Sequence, residues 1–298
     1  QVIVVATRRS ALALAQSRAW MATLTAANPG WRAEELHVVT TGDRIQDRPL
    51  QQVGGKGLFI KEVEQALLEG TASLAVHSMK DVPAELAEGL VLGCVPQRED
   101  ARDVAVTRDG RPLSALPSGA RVGTSSLRRA VQLRAWRDDL EILPLRGNVD
   151  TRLRKCKEGQ VDAILLAHAG LRRLGLGQVV TEVLDPELCL PAVGQGALAI
   201  ELRQADLTAC ELVAPLHHEE TAVAVAAERG VMLAVDGSCQ VPVAAWARRQ
   251  GERLLLDAML AEPDGSRLRR IHEEQAWGPS EAEAAAFGVE LGRRLRSS

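Results

Sequence analysis

Three apolar runs, at residues 120–123, 141–145 and 162–167, are each followed at once by a helical segment, at 126–137, 149–158 and 168–174. This alternation constrains the fold more than any other feature of the chain. Strand–helix–strand units of this kind build a mostly parallel sheet with helices on both faces. The N-terminal part follows the same grammar. A β-branched run at 2–7 leads to Ser10, which caps a helix through Ala26 that Asn28-Pro29-Gly30 stops. A strand is expected over 36–40, a helix over 59–69 closed by Gly70, and strands over 72–77, 90–95 and 103–107. The spacing predicts two α/β units, 1–107 and 120–190, joined by the turn-rich stretch 109–119. The last third changes character, with a helix over 219–235, strand-like runs at 241–247, 253–260 and 267–273, and a final helix starting near Pro279. Strands in sequence before a helix predict a small α+β domain with an antiparallel sheet. Residues 42–57 are polar, glycine-rich and aperiodic, which predicts a mobile loop.

Several classes are excluded. No run of 18 apolar residues exists to span a membrane. The first charges follow the apolar run 2–7, the reverse of a secretory signal, and the absence of an initiator Met fits a trimmed start. The five cysteines (94, 156, 189, 210 and 239) are scattered without CxxC spacing, which argues against a metal site or a disulfide framework. The expectation is a soluble protein of a reducing compartment. The net charge of −3 argues at first against a strongly anionic partner. Residues 121–157, however, hold ten basic and four acidic side chains, a local +6 that leaves −9 for the rest. The bases are 31 Arg and 5 Lys. That bias fits a base-composition preference of the genome, and it also fits a use for the planar Arg fork, which binds carboxylates bidentately.

In open α/β sheets, ligands bind beyond the carboxyl ends of the strands. The residues expected there are Arg8, Arg9 and Ser10; Ser78, Lys80 and Asp81; Thr124, Ser125, Ser126, Arg128 and Arg129; and Arg146 with Asn148. Hydroxyls, amides and arginines make a floor suited to an anion. Gly123-Thr-Ser-Ser-Leu-Arg-Arg129 is the most telling stretch. N-capping explains one hydroxyl, and a helix start welcomes an anion. Two arginines in the first turn are disfavoured there unless an anion lies close. Arg134, Arg137, Arg154 and Lys157 read as solvated helix face. Asp81 beside Lys80 reads either as a surface ion pair or as a carboxylate that stabilises a cation or moves a proton. Gly54-Gly-Lys-Gly57 lacks the hydroxyl and the earlier glycine of a Walker A loop. Four cysteines suit packing roles. Cys239, in the polar turn Asp236-Gly-Ser-Cys-Gln240, leaves packing and nucleophilic roles both open.

Taken together, these motifs closely resemble the porphobilinogen deaminase (hydroxymethylbilane synthase) family. The match runs collinearly through almost the whole chain: Ala6-Thr-Arg-Arg-Ser10, Gly54-Gly-Lys-Gly-Leu-Phe59, His77-Ser-Met-Lys-Asp-Val-Pro83, Gly123-Thr-Ser-Ser-Leu-Arg-Arg129, Leu145-Arg-Gly-Asn-Val149, Thr151-Arg-Leu153, Leu190-Pro-Ala-Val-Gly-Gln-Gly196 and Ser238-Cys-Gln-Val-Pro242. The family signature before the cysteine is usually Gly-Gly, whereas here Ser238 follows Gly237, and the C-terminus is shorter than in many members.

The resemblance implies a transferase of haem and tetrapyrrole biosynthesis. It would join four porphobilinogen molecules head to tail, releasing ammonia, to give hydroxymethylbilane. The primer would be a dipyrromethane cofactor attached through a thioether to Cys239. Asp81 would be the catalytic carboxylate, pairing with pyrrole N–H groups and stabilising a cationic azafulvene. Arg8, Ser10, Ser78, Lys80, Thr124, Ser126, Arg128, Arg129, Arg146, Arg152, Arg173 and Gln195 would bind cofactor and substrate, with Lys56 and Phe59 on a closing loop. The implied fold is two α/β domains like those of periplasmic binding proteins, 1–96 with 197–214 and 102–190. A small α+β domain over 219–298 would carry the cysteine. A cytoplasmic monomer is implied, with no nucleic acid, membrane or metal. The rival reading is a non-catalytic two-lobed anion-binding protein. A nucleic-acid binder is the weaker rival, because five Trp, two Phe and no Tyr give little stacking surface.

Overall fold

The computed structural model describes residues 1–44, 60–236 and 241–297. They form two compact units, 1–99 with 197–222 and 100–196 with 223–298.

The first unit is built on a five-stranded sheet. Its strands are β1 (Val2–Arg8), β2 (Arg32–Val38), β3 (Leu74–Ser78), β4 (Leu90–Cys94) and β10 (Leu198–Arg203), in the order β2-β1-β3-β10-β4. β1 pairs parallel with β2 and β3, while β10 runs antiparallel to both neighbours. A strand covered on both faces must be apolar on both, which is why β1 is a continuous apolar run. Ile3 and Val5 pack with Trp20, Met21 and Leu24 of α1 (Ala11–Ala27). Ala6 packs on the opposite face with Val63, Ala66 and Leu67 of α2 (Lys61–Leu68). Thr41–Arg44 forms a single helical turn within the expected 42–57 loop, whose remainder from 45 on lies outside the described residues.

The second unit repeats the plan. β5 (Asp103–Thr107), β6 (Arg121–Gly123), β7 (Glu141–Leu143), β8 (Ala163–Ala167) and β9 (Glu182–Val183) are ordered β7-β6-β8-β5-β9. Here β5 is the antiparallel strand, paired with β8 and β9. This corrects the expected boundary at 107. Residues 103–107 belong to the second sheet, and 109–119 is a loop inside this unit. The error arose because a strand's partner is chosen by tertiary contacts that its own residues do not encode. Helices α3 (Leu127–Trp136), α4 (Val149–Lys157) and α5 (His168–Arg173) lie close to their expected bounds.

After α6 (Leu207–Val213) in the first unit, α7 (Glu219–Ala234) leads to the three-stranded antiparallel sheet β11 (Val243–Gln250), β12 (Arg253–Leu260) and β13 (Arg269–Ala276). One face of that sheet, with Ala245, Leu254, Leu256 and Ala258, is covered by α7 and by α8 (Glu281–Ser297). The other face sets Ala244 and Met259 against Val131 of α3 and against Leu190. α7 and α8 touch backbone to backbone. A Cβ on Gly230 would lie 2.2 Å from the Ala285 carbonyl oxygen, and one on Gly288 would lie 1.9 Å from that of Ala227. Among the described residues, no helix is long and apolar enough to cross a membrane.

Candidate active site

In the first unit, β1 and β3 run side by side, with Val5 opposite Leu74 and Ala6 opposite Ala75. Their carboxyl ends therefore emerge together and gather Arg8, Ser10, Ser78, Lys80 and Asp81. Ser10 caps α1, its Oγ accepting from the Ala13 N–H at 3.3 Å. The Ser78 hydroxyl is held by the buried Gln16 amide at 3.2 Å, which locks the end of β3 to α1. Met79–Asp81 is a 3-10 turn anchored by the buried Met79 side chain, and the Met79 N–H donates to the Ala197 carbonyl at 3.0 Å. Lys80 and Asp81 are left exposed. Among the described residues Asp81 makes no hydrogen bond or ion pair, so the two neighbours do not form a surface pair. Behind the turn, the buried His77 Nε2 meets Glu201 Oε2 at 2.8 Å.

In the second unit, the carboxyl ends of β6 and β7 carry Thr124, Ser126, Arg128, Arg129 and Arg146. Thr124 Oγ1 accepts from the Ser126 N–H at 3.2 Å, and Ser126 Oγ caps α3 by accepting from the Arg129 N–H at 3.4 Å. The anion that two first-turn arginines require is present inside the protein. It is Asp103, at the start of β5, which sequence reasoning missed. Arg128 donates from Nη1 to Asp103 Oδ2 at 2.7 Å and to the Leu190 carbonyl at 2.6 Å. Arg129 donates to Asp103 Oδ1 from Nε at 3.1 Å and Nη2 at 2.7 Å, and from Nη1 to the Leu165 carbonyl at 3.1 Å. Gln195 Nε2 adds a bond to Oδ1 at 3.0 Å and one to the Ala101 carbonyl at 2.7 Å. Asp103 and Gln195 are fully buried, and each arginine is only 6% exposed. Burial opposes the Asp103 charge, but Arg128 and Arg129 outweigh it and hold the carboxyl well below the usual range. One feature could have flagged Asp103 in the sequence: an acidic residue opening an otherwise apolar buried strand.

Two buried guanidiniums on one carboxylate leave a net positive charge in a poorly solvated place. The neighbourhood adds to it. Arg152 donates from Nε to the Gly147 carbonyl at 2.8 Å. Burial, then the cations Arg129 and Arg146, push its guanidinium down to about 10. Gly147 makes this possible, because its φ of +116° suits glycine and a Cβ there would lie 2.7 Å from Thr151 Cγ2. Arg173 donates from Nη2 to the Gly196 carbonyl at 2.6 Å. Arg137 is not the solvated residue expected, since it donates to the Leu113 and Leu116 carbonyls at 3.0 and 2.9 Å. Another carboxylate missed from sequence is Glu228 of α7, fully buried, which accepts from the Gly194 and Ala247 N–H groups at 2.6 and 2.8 Å. Burial pushes the Cys94 thiol up to about 12, and burial and then the Asp103 charge do the same to Cys189, whose Sγ donates to Asp103 Oδ2 at 3.3 Å. Lys56, Phe59 and Cys239 lie outside the described residues.

The first sheet thus ends in an exposed carboxylate, and the second in an arginine cluster with surplus positive charge. Residues 3–211 match the family model "Porphobilinogen deaminase, dipyromethane cofactor binding domain", and residues 222–297 match "Porphobilinogen deaminase, C-terminal domain". The porphobilinogen deaminase of Sorangium cellulosum is 59% identical over 294 residues, covering 99% of this chain and 98% of that one. That of Syntrophobacter fumaroxidans is 53% identical, covering 100% and 95%, and that of a Roseiflexus species is 48% identical, covering 94% and 92%. With both family models and relatives of this closeness spanning the chain, it belongs to the porphobilinogen deaminase family.

Proposed function

We propose that this chain joins four porphobilinogen molecules head to tail, releasing ammonia at each step, to form hydroxymethylbilane. The observation that carries this reading is the buried cluster of Arg128 and Arg129 on Asp103, with one positive charge uncompensated. A polycarboxylate ligand supplies the missing negative charge, and a guanidinium fork binds a carboxylate through two charge-assisted bonds. The residues of each unit fit acetate and propionate groups: Thr124, Ser126, Arg128, Arg129, Arg146, Arg152 and Arg173 in the second unit, and Arg8, Ser10, Ser78 and Lys80 in the first, would bind the carboxylates of a dipyrromethane cofactor and of the substrate. Gln195 would act from behind, through Asp103. Bound through a thioether to Cys239, this group supplies the nucleophilic pyrrole carbon on which the product grows.

Asp81 acts on the incoming substrate. The aminomethyl group reacts as its ammonium: the carbon–nitrogen bond breaks, ammonia leaves with the bonding pair, and the pyrrole keeps the positive charge. An unpaired carboxylate within hydrogen-bond reach of the pyrrole N–H stabilises that cation as it forms. The new carbon–carbon bond then restores neutrality by releasing a proton. A cytoplasmic monomer completes the reading.

Intact-mass spectrometry tests it. The purified chain should exceed its sequence mass by two linked pyrrole units, with the excess on the peptide containing Cys239, and Cys239→Ala should show the bare mass and no turnover. A bare mass in freshly prepared, active parent protein would sink the cofactor assignment.

A further inference from the structure

His77 and Glu201 are a polar pair in an apolar place. Side chains alternate along a strand, and Leu74 and Val76 of β3, like Ile200 and Leu202 of β10, pack in the core under α1. His77 and Glu201 therefore share the opposite face, where Ala75 meets α2. The register sets Ala199 opposite His77 and Ala75 opposite Glu201, so the pair closes a diagonal between the two strands. His77 Nε2 lies 2.8 Å from Glu201 Oε2, and the two side chains are 5% and 1% exposed. Glu201 Oε1, also buried, has no hydrogen-bond partner among the described residues. An orphaned buried carboxylate oxygen costs stability, and two apolar side chains of similar volume would fill this place without that cost. Stability alone does not account for the pair.

What the pair does hold is the approach to Asp81. Three consecutive residues before that carboxylate are tied to three partners. His77 is tied to Glu201 of β10, Ser78 to Gln16 of α1, and the Met79 N–H to the Ala197 carbonyl just before β10. We infer that His77 and Glu201 are positioning residues for Asp81: a directional bond from β10 fixes the end of β3, and with it the aim of the Met79–Asp81 turn. An apolar contact in their place would fill the space but would not fix the direction, because dispersion contacts have none. Both residues act through the backbone that leads to Asp81. The assignment rests on the proposed chemistry of Asp81 and deepens it.

The test uses the full chain carrying its two pyrrole units, checked by intact mass. It reads kcat and KM for porphobilinogen, thermal midpoint, and amide hydrogen exchange of the peptide spanning 77–83. His77→Leu/Glu201→Leu should keep its thermal midpoint within about 4 °C of the parent, because apolar groups of like volume replace a buried polar pair at little cost. Exchange of that peptide should nonetheless rise about ten-fold. kcat should fall about 30-fold with KM within about two-fold, less than the ~10²-fold of a full 1 Å misplacement because the Met79 bond remains. In an Asp81→Ala chain the same two changes should lower kcat by less than about three-fold, since the group they aim is gone. A parent-like kcat in the leucine pair, an equal fall in the Asp81→Ala background, or unchanged exchange over 77–83 would each reduce the pair to packing and overturn the inference. If the leucine pair fails to fold, His77→Gln and His77→Asn decide. The Gln amide nitrogen reaches the place of Nε2 and should keep kcat within about three-fold of the parent, whereas the shorter Asn should lose about ten-fold at unchanged KM. Equal rates for these two would overturn the inference. A parent chain that forms no hydroxymethylbilane would instead overturn the proposed function itself.

Discussion

Asp81→Ala should lower the rate of hydroxymethylbilane formation by about 10³-fold, in the range found when one preorganised electrostatic group is removed from a transition state. The same variant should keep its fold. Asp81 is exposed, the turn that presents it is anchored by Met79, and no described partner is orphaned when its carboxylate goes. Its stability cost should be within about 0.5 kcal/mol, as for surface changes generally. Asp81→Glu keeps the charge but moves it by a methylene, and a displacement of about 1 Å can cost about 10²-fold, so an intermediate rate is expected. The measurements are product formation and the urea midpoint on the same preparations. An alanine variant within ten-fold of the parent rate would remove Asp81 from the chemistry.

Gly288→Ala should have the largest effect on stability. Taken as an isolated helix, α8 would gain about 1 kcal/mol from the change. Packing reverses the sign. The new methyl would lie 1.9 Å from the Ala227 carbonyl oxygen and 2.8 Å from its carbon, which are backbone atoms that cannot rotate away. α7 and α8 must separate, loosening Val231, Leu291 and Leu295 in the core they share. The expected loss is about 3 kcal/mol, toward the upper end for overpacking. That is a large part of the ~5–15 kcal/mol that holds a typical domain. A clear fall in the urea midpoint is the readout, and an unchanged or higher midpoint would mean that the helices part without penalty. Gly292, one turn on, shows the same contact, with a Cβ 2.9 Å from the Val231 carbonyl oxygen.

Local pattern made much of this architecture legible. Residues 103–107 and 253–260 are strands with the expected bounds, and the helices after β6, β7 and β8 fall within two residues of expectation. The misses are of another kind. β9 has two residues, too few to show a period, and α6 has seven. β10 is a strand of the first sheet although nearly a hundred residues of the second unit precede it, a choice that only its partners β3 and β4 can enforce. At the site, the demand for an anion beside Arg128 and Arg129 was legible, but its source was not. Hydroxyls and arginines at a helix start cannot distinguish an external carboxylate from Asp103, because that distinction depends on where β5 pairs. The answer here includes both: an internal carboxylate and a charge left over.

The position of β10 also sets an order of events during synthesis. All five strands of the second sheet are complete once residue 183 has been made. The first sheet must wait for residues 198–203, which fill the gap between β3 and β4. Until then both strands present unpaired backbone, an invitation to wrong partners in a nascent chain. The Met79 N–H that fixes the Asp81 turn also waits, since its acceptor is the Ala197 carbonyl. The arginine-bearing sheet can close while its chain is still being extended, whereas the turn that presents Asp81 gains its anchor only after two-thirds of the protein exists.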